Sequence, residues 1–144
     1  MEHMRQTQKS LPIALLRARE AVMAHFRPML AAHDLNEQQW RVIRVLDENN
    51  ELDATELATK ALVLGPSLTR MIKTLLARKL VVSSRDRKDG RRTLLRLTPK
   101  ARLIIDEIAP ESASIYQTIN GKLGTANNDR LLDLLELVIQ RLAD

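Results

Sequence analysis

GPSLTRMIKTLLARKLVVSSRDRKDGRRTLLRLTPKAR, residues 65–102, carries twelve Lys and Arg against two acids, Asp86 and Asp89, a local balance of +10. The whole chain is +5 over 144 residues, so everything outside this stretch is net acidic. A basic block in an otherwise acidic chain is the electrostatic footprint expected for a polyanion, because each neutralised phosphate releases condensed counterions. The plain alternative is a solvated charged face. Gly65 and Pro66 mark a break, and Pro66 suits the first turn of a helix running to Lys79, since its missing N–H has no partner there. On that helix Leu68, Ile72, Leu75 and Leu76 recur at helical spacing, which leaves Ser67, Thr69, Arg70, Lys73 and Thr74 facing outward with no acid among them. Val81 and Val82 read as a strand, DRKDGRR (86–92) as a turn with Gly90 at its tip, and TLLRL (93–97) as the returning strand of a hairpin.

Upstream, a first helix is expected from Pro12 to about Ala32, capped near Ser10 or Leu11, with Ile13, Leu16, Met23 and Leu30 on a buried face and a kink at Pro28. A second follows Asn36, where Gln39 completes a capping box and Trp40, Ile43 and Leu46 form the apolar face. A third begins at Asp53, which repeats the pattern with Glu56 ahead of Leu57, Ala58, Ala61 and Leu62. Downstream, Thr98 and Pro99 start a long helix toward Lys122 that Pro110 bends, and from Asn128 the series Leu131, Leu132, Leu135, Val138, Ile139 and Leu142 makes a last amphipathic helix. The order helix, helix, basic helix, basic hairpin predicts a mostly α fold with a small β-wing: a winged helix-turn-helix over 36–98, flanked by helices at 10–34 and 99–144.

Composition narrows the function classes. The length suits one domain with a real core. No apolar run approaches the ~20 residues of a membrane span, and MEHMRQTQKS lacks a secretory apolar region, so a cytoplasmic protein without membrane partners is expected. With no cysteine, disulfides, thiolate nucleophiles and cysteine-ligated zinc are excluded. No nucleophile elbow, P-loop, H-E-x-x-H or glycine-rich dinucleotide motif is present, so neither a catalytic site nor a cofactor is expected.

A helix about 10 to 12 Å across fits the major groove of B-DNA, where its outward residues meet base edges and phosphates. The residues expected to do so are Pro66, Ser67, Thr69, Arg70 and Lys73. The hairpin projects Arg87, Lys88, Arg91 and Arg92 on a narrow loop suited to phosphates or to a narrow minor groove, with Asp89 placed to hold Arg91 extended. A merely soluble basic turn is the lesser alternative once a basic helix precedes it. Two other classes stay open: a constitutive DNA-compacting protein without an effector, and a winged-helix protein-interaction module.

SLTRMIKTLLARKLVVSSRDRKDGRRTLLRLTPKA (67–101) resembles the recognition helix and wing of the MarR family of regulators. The specific part is Asp86-Arg87-Lys88-Asp89-Gly90-Arg91-Arg92 followed by Leu97-Thr98. LPIALLRAREAVMAHFRPML (11–30) and LNEQQWRVIRVLDEN (35–49) resemble the branch that represses homoprotocatechuate (4-hydroxyphenylacetate) degradation operons, and also the fatty-acid resistance branch. Gly65 stands where those relatives commonly carry Arg. The resemblance implies that first and last helices interlock into a two-fold homodimer, which pairs with a pseudo-palindromic duplex operator whose half-sites lie one turn apart. It also implies a small aromatic carboxylate effector, 4-hydroxyphenylacetate or 3,4-dihydroxyphenylacetate, held between dimer helices and DNA-binding lobe. Fatty-acid and drug-efflux regulation are the alternatives within the family.

Such a ligand needs apolar walls, one cation and one polar group. His25, Met29 and His33 fall at i, i+4 and i+8 of the first helix, and the second offers Trp40, Arg41 and Arg44. Arg17 or Arg41 is expected to take the carboxylate, with Trp40, Met29 and His33 around the ring. A core role for Trp40 and Met29, and a structural one for His33, is the plainer reading of each residue alone. Zinc between His25 and His33 is disfavoured, because i and i+8 is wider than helical ligand spacing.

Overall fold

The computed structural model describes residues 9–143. The N-terminal reading rests largely on residues 1–8, and the expected last segment ends at Asp144; these lie outside the described residues. The elements are α1 (Leu11–Met23), α2 (Arg27–Ala32), α3 (Glu37–Asn49), β1 (Leu52–Asp53), α4 (Ala54–Ala61), α5 (Gly65–Ala77), β2 (Val81–Arg85), β3 (Thr93–Leu97), α6 (Pro99–Leu123) and α7 (Thr125–Leu142). They fall into two compact units: Arg27–Ala109, and the described residues up to Phe26 with those from Pro110 onward.

Within the unit Arg27–Ala109, Leu30, Ile43, Leu46, Leu57, Leu68, Leu75, Leu80 and Ile108 are all but sealed from solvent. Each such side chain contributes roughly 1.5 to 3 kcal/mol of transfer free energy, and together they hold α2 to α5 and the sheet as one core. The buried stripe of α5 is Leu68, Met71 and Leu75. Ile72 and Leu76, expected on that stripe, lie half-buried at its edge. The helix is thus rotated slightly from the expected setting, with the outward cations still outside. The sheet has three antiparallel strands in the order β1-β3-β2, with Leu52 opposite Leu95, Val81 opposite Leu97 and Arg85 opposite Thr93. Two-residue β1 has no periodicity to betray it. Its pairing is what ties the wing to the start of α4.

The expected single first helix is two. The chain leaves α-helix at Ala24–Phe26, where His25 N–H donates to Val22 O and Phe26 N–H to Met23 O at 3.1 and 2.9 Å, the tighter i→i−3 pattern. Pro28 explains the position: its ring excludes the carbonyl four residues back and it has no N–H to give, so the break falls one turn before it and Pro28 sits in the first turn of α2. The first turn of α7 likewise starts earlier than Asn128, at Thr125, after Gly124 at φ +87°. α6 runs unbroken through Pro110.

Three helices close on a left-handed residue that is not glycine: Asp34, Leu62 and Lys79, with φ of 56°, 55° and 61°. In each, the next residue donates back five positions, Leu35 to Leu30 O, Val63 to Ala58 O and Leu80 to Leu75 O. Leu35, Val63 and Leu80 are buried. The apolar residue after the turn anchors it in the core, which offsets the cost of a Cβ in the left-handed region.

In the other unit, α1 and α7 bury no side chain. Leu16, expected inward, is 58% exposed; Leu132 and Ile139 are 57% and 59% exposed. Phe26 stacks at a tilt on Tyr116, ring centroids 4.9 Å apart.

Candidate nucleic-acid interface

α5 presents Pro66, Thr69, Arg70, Lys73 and Thr74 to solvent, while Ser67 is half-buried. Thr69 Oγ1 donates to Gly65 O and Thr74 Oγ1 to Arg70 O, so both hydroxyls are oriented by the helix backbone and keep acceptor capacity outward. Arg70 and Lys73 have no ion pair or side-chain hydrogen bond among the described residues. Between the start of α3 and α5 runs a shallow groove of about 260 Å³ lined by Asn36, Gln38, Gln39, Ser67, Arg70, Met71 and Thr74. Amide and hydroxyl groups flanking a free guanidinium form the mixture that grips a phosphodiester.

The loop 86–92 is built by its own acids. Asp86 Oδ1 accepts from Lys88 N–H at 2.9 Å, Asp89 Oδ1 from Arg91 N–H at 3.0 Å, and Asp86 N–H donates to Arg92 O at 2.9 Å. Arg85 adds a bond from Nη1 to Gly90 O at 2.7 Å. Arg91 is 96% exposed and its Nε meets Asp89 Oδ1 at 3.6 Å. Arg87 and Lys88 are exposed and unpaired among the described residues.

Arg92, expected beside these cations, is spent elsewhere. Its guanidinium donates to Asp53 Oδ2 from Nε at 3.1 Å and to Glu56 Oε1 from Nη2 at 2.7 Å, and meets Asp86 at 3.4 Å. Asp53 and Glu56 are themselves the capping box of α4: Glu56 N–H donates to Asp53 Oδ1 at 2.8 Å and Asp53 N–H to Glu56 Oε1 at 3.1 Å. The Glu56 N–H, followed by the Arg92 charge, holds the Asp53 carboxyl below its ordinary range. Arg92 therefore fastens the base of the wing to the helix-turn-helix. Nothing in the sequence advertised this pairing across 39 and 36 positions.

The expected effector residues divide. Met29 is 2% exposed and belongs to the core. His33 is half-buried, its Nδ1 3.8 Å from Glu107 Oε2. Trp40 is half-buried under the Arg44 guanidinium, 5.8 Å from the ring centroid. Arg41 is half-buried on the same helix, and its Nε is sealed from solvent without a hydrogen-bond partner among the described residues. Arg17 is exposed and lies in the other compact unit. The common face of His25, Met29 and His33 does not form, because the helix breaks just at His25. A groove of about 450 Å³ at the junction of α2 and α3 is lined by Arg27, Leu30, Ala31, Leu35, Asn36, Glu37 and Gln38, by none of the five expected residues. Its one cation, Arg27, pairs with Glu37 at 2.6 Å. Among the described residues no three His, Asp or Glu converge as metal ligands, and no helix is long and apolar enough to cross a membrane.

Two capped helices, an acid-free basic helix behind a short turn, and a cation-tipped hairpin braced against the second capped helix define a winged helix-turn-helix of the DNA-binding class. Residues 33–92 match the MarR family model, and the chain belongs to the MarR family. It is 41% identical over 126 residues to the HTH-type transcriptional regulator FarR of Neisseria gonorrhoeae, covering 88% of this chain and 86% of that one. It is 35% identical over 127 residues to the homoprotocatechuate degradative operon repressor of Escherichia coli, with the same coverages. Among solved structures it is similar to NadR in complex with 4-hydroxyphenylacetate, at 38% identity and a TM-score of 0.81, covering 91% of this chain and 96% of that one.

Proposed function

We propose that this chain is a homodimeric transcriptional repressor that occupies a pseudo-palindromic operator in cytoplasmic duplex DNA and leaves it when a small aromatic carboxylate binds. It acts by occupancy rather than by catalysis. The observation that carries the reading is the outward face of α5, where Arg70 and Lys73 stand free of acids, together with the wing cations Arg87 and Lys88, unpaired among the described residues, and Arg91, 96% exposed beside Asp89. Unpaired cations on a helix and an adjoining hairpin are what a duplex neutralises. The dimer is supported by α1 and α7, whose apolar side chains lie open to solvent until a second copy covers them.

The effector reading is supported by Arg41. A buried guanidinium Nε without an acceptor is costly, and a ligand carboxylate would satisfy it. Trp40, one residue away, offers an aromatic face, and the NadR structure contains 4-hydroxyphenylacetate. Titrating the protein bound to promoter DNA with 4-hydroxyphenylacetate, 3,4-dihydroxyphenylacetate and the neutral amide of the first tests it. The acids should weaken DNA binding by about 5- to 150-fold, the amide far less, and saturating DNA should weaken effector binding by the same factor. Equal effector affinity with and without DNA contradicts induction, and a long-chain fatty acid is then the ligand to try.

A further inference from the structure

We infer that Arg78 is a positioning residue that fixes the C-terminal end of α5 to the turn closing α2, so that the operator-facing helix follows the turn at His33 and Asp34, and a bound effector acts on DNA affinity through it. The second half of this inference rests on the effector reading above; the first half does not.

Arg78 is the C-cap of α5, still with helical backbone, and its own N–H donates to Thr74 O at 3.0 Å. Its guanidinium reaches across 44 positions of sequence, donating from Nη1 to Asp34 O at 2.7 Å and from Nη2 to His33 O at 3.5 Å. Those two carbonyls are left without helix partners by the left-handed turn at Asp34. One forked cation thus satisfies the end of α2 while belonging to the end of α5. Both helices bring the negative ends of their dipoles to this place, and a positive group between them is favoured. Lys100 adds another, donating from Nζ to Arg78 O at 3.0 Å, and Thr98 Oγ1 donates to Lys79 O at 2.7 Å. The far end of α5, at Gly65 and Pro66, has no side-chain cap. With its Leu68, Met71 and Leu75 stripe in the core, α5 is tied at its C-terminal end to the turn after α2 by this guanidinium, and a shift of the 33–34 turn is passed to Arg70 and Lys73 through that rigid planar group.

Two variants test this. Arg78→Lys keeps the charge but replaces the rigid planar fork with a shorter, freely rotating ammonium; Arg78→Ala removes the strut. Each is measured against an operator duplex recovered by selection, using 4-hydroxyphenylacetate as effector. Arg78→Lys should leave effector affinity within about 2-fold and the salt slope of DNA binding unchanged, while the effector-induced loss of DNA affinity falls from the about 5- to 150-fold range to below about 2-fold. Arg78→Ala should do the same where it folds; if it unfolds, Arg78→Lys decides. A slope smaller by about 2 per dimer makes Arg78 a phosphate contact, and unchanged coupling means the strut transmits nothing; either result overturns the inference. If wild-type protein ignores every aromatic acid, the effector reading fails and hydrogen exchange takes over. Amides of Arg78, Lys79 and Leu80 should then exchange at least about 10-fold faster in Arg78→Lys, and unchanged exchange rejects the positioning role.

Discussion

Arg91 and Arg92 are neighbours in sequence and do opposite jobs. Arg91 stands almost wholly in solvent at the wing tip, held only by Asp89, whereas Arg92 is tied to Asp53, Glu56 and Asp86. Arg91→Ala should therefore lower the magnitude of the salt slope of DNA binding by about 1 per protomer, about 2 per symmetric dimer. A slope and affinity equal to wild type would mean that the wing does not touch DNA. Sequence alone put both arginines in one class, since the partners of Arg92 come from a distant helix cap. Leu62 is a second residue whose role was invisible: it reads as part of an apolar helix face, yet it is 80% exposed at φ 55°. A leucine there loses burial and strains its backbone, so Leu62→Gly should raise stability by about 1 kcal/mol in denaturant titration. A destabilised variant would show that Leu62 gains more from contacts than the strain costs.

At the scale of elements, what could be read locally was read well. The capping boxes at Asn36 with Gln39 and at Asp53 with Glu56 depend on residues three apart, and both form. The helix ends were harder, because Asp34, Leu62 and Lys79 take a conformation that glycine usually signals, and the buried residue after each supplies the reason only once the core exists. β1 and the break at Ala24–Phe26 depend likewise on partners that sequence order hides. Asp53 joins two elements, capping α4 and receiving the wing through Arg92. Its carboxyl is held below the ordinary value near 3.9, so it contributes stability that is full above that value and is lost as pH falls through the lowered folded one. Asp53→Asn should flatten the acid limb of stability below about pH 4 and loosen the wing at neutral pH. This can be read from thermal melts across pH with amide exchange at Asp86 and Arg92. An acid limb and exchange rates identical to wild type would remove Asp53 from both roles.

For the whole molecule, the effector residues were least legible, since a pocket is a property of assembled elements. Arg41 has a buried Nε without a hydrogen-bond partner among the described residues, while Met29 goes to the core and the face shared with His25 is broken. The exposed basic surface of α5 and the wing was legible because charge and helical period point the same way over one continuous stretch. The central claim is that two copies place two α5 helices and two wings on one duplex. Selection from a random duplex pool at physiological salt, with sedimentation to count protomers per duplex, tests it most directly. A two-fold dimer should enrich an inverted repeat with half-site centres about 10 to 10.5 base pairs apart, bound by two protomers and resistant to unrelated competitor DNA. Recovery of no motif, or binding of a single protomer to an asymmetric site, would contradict it.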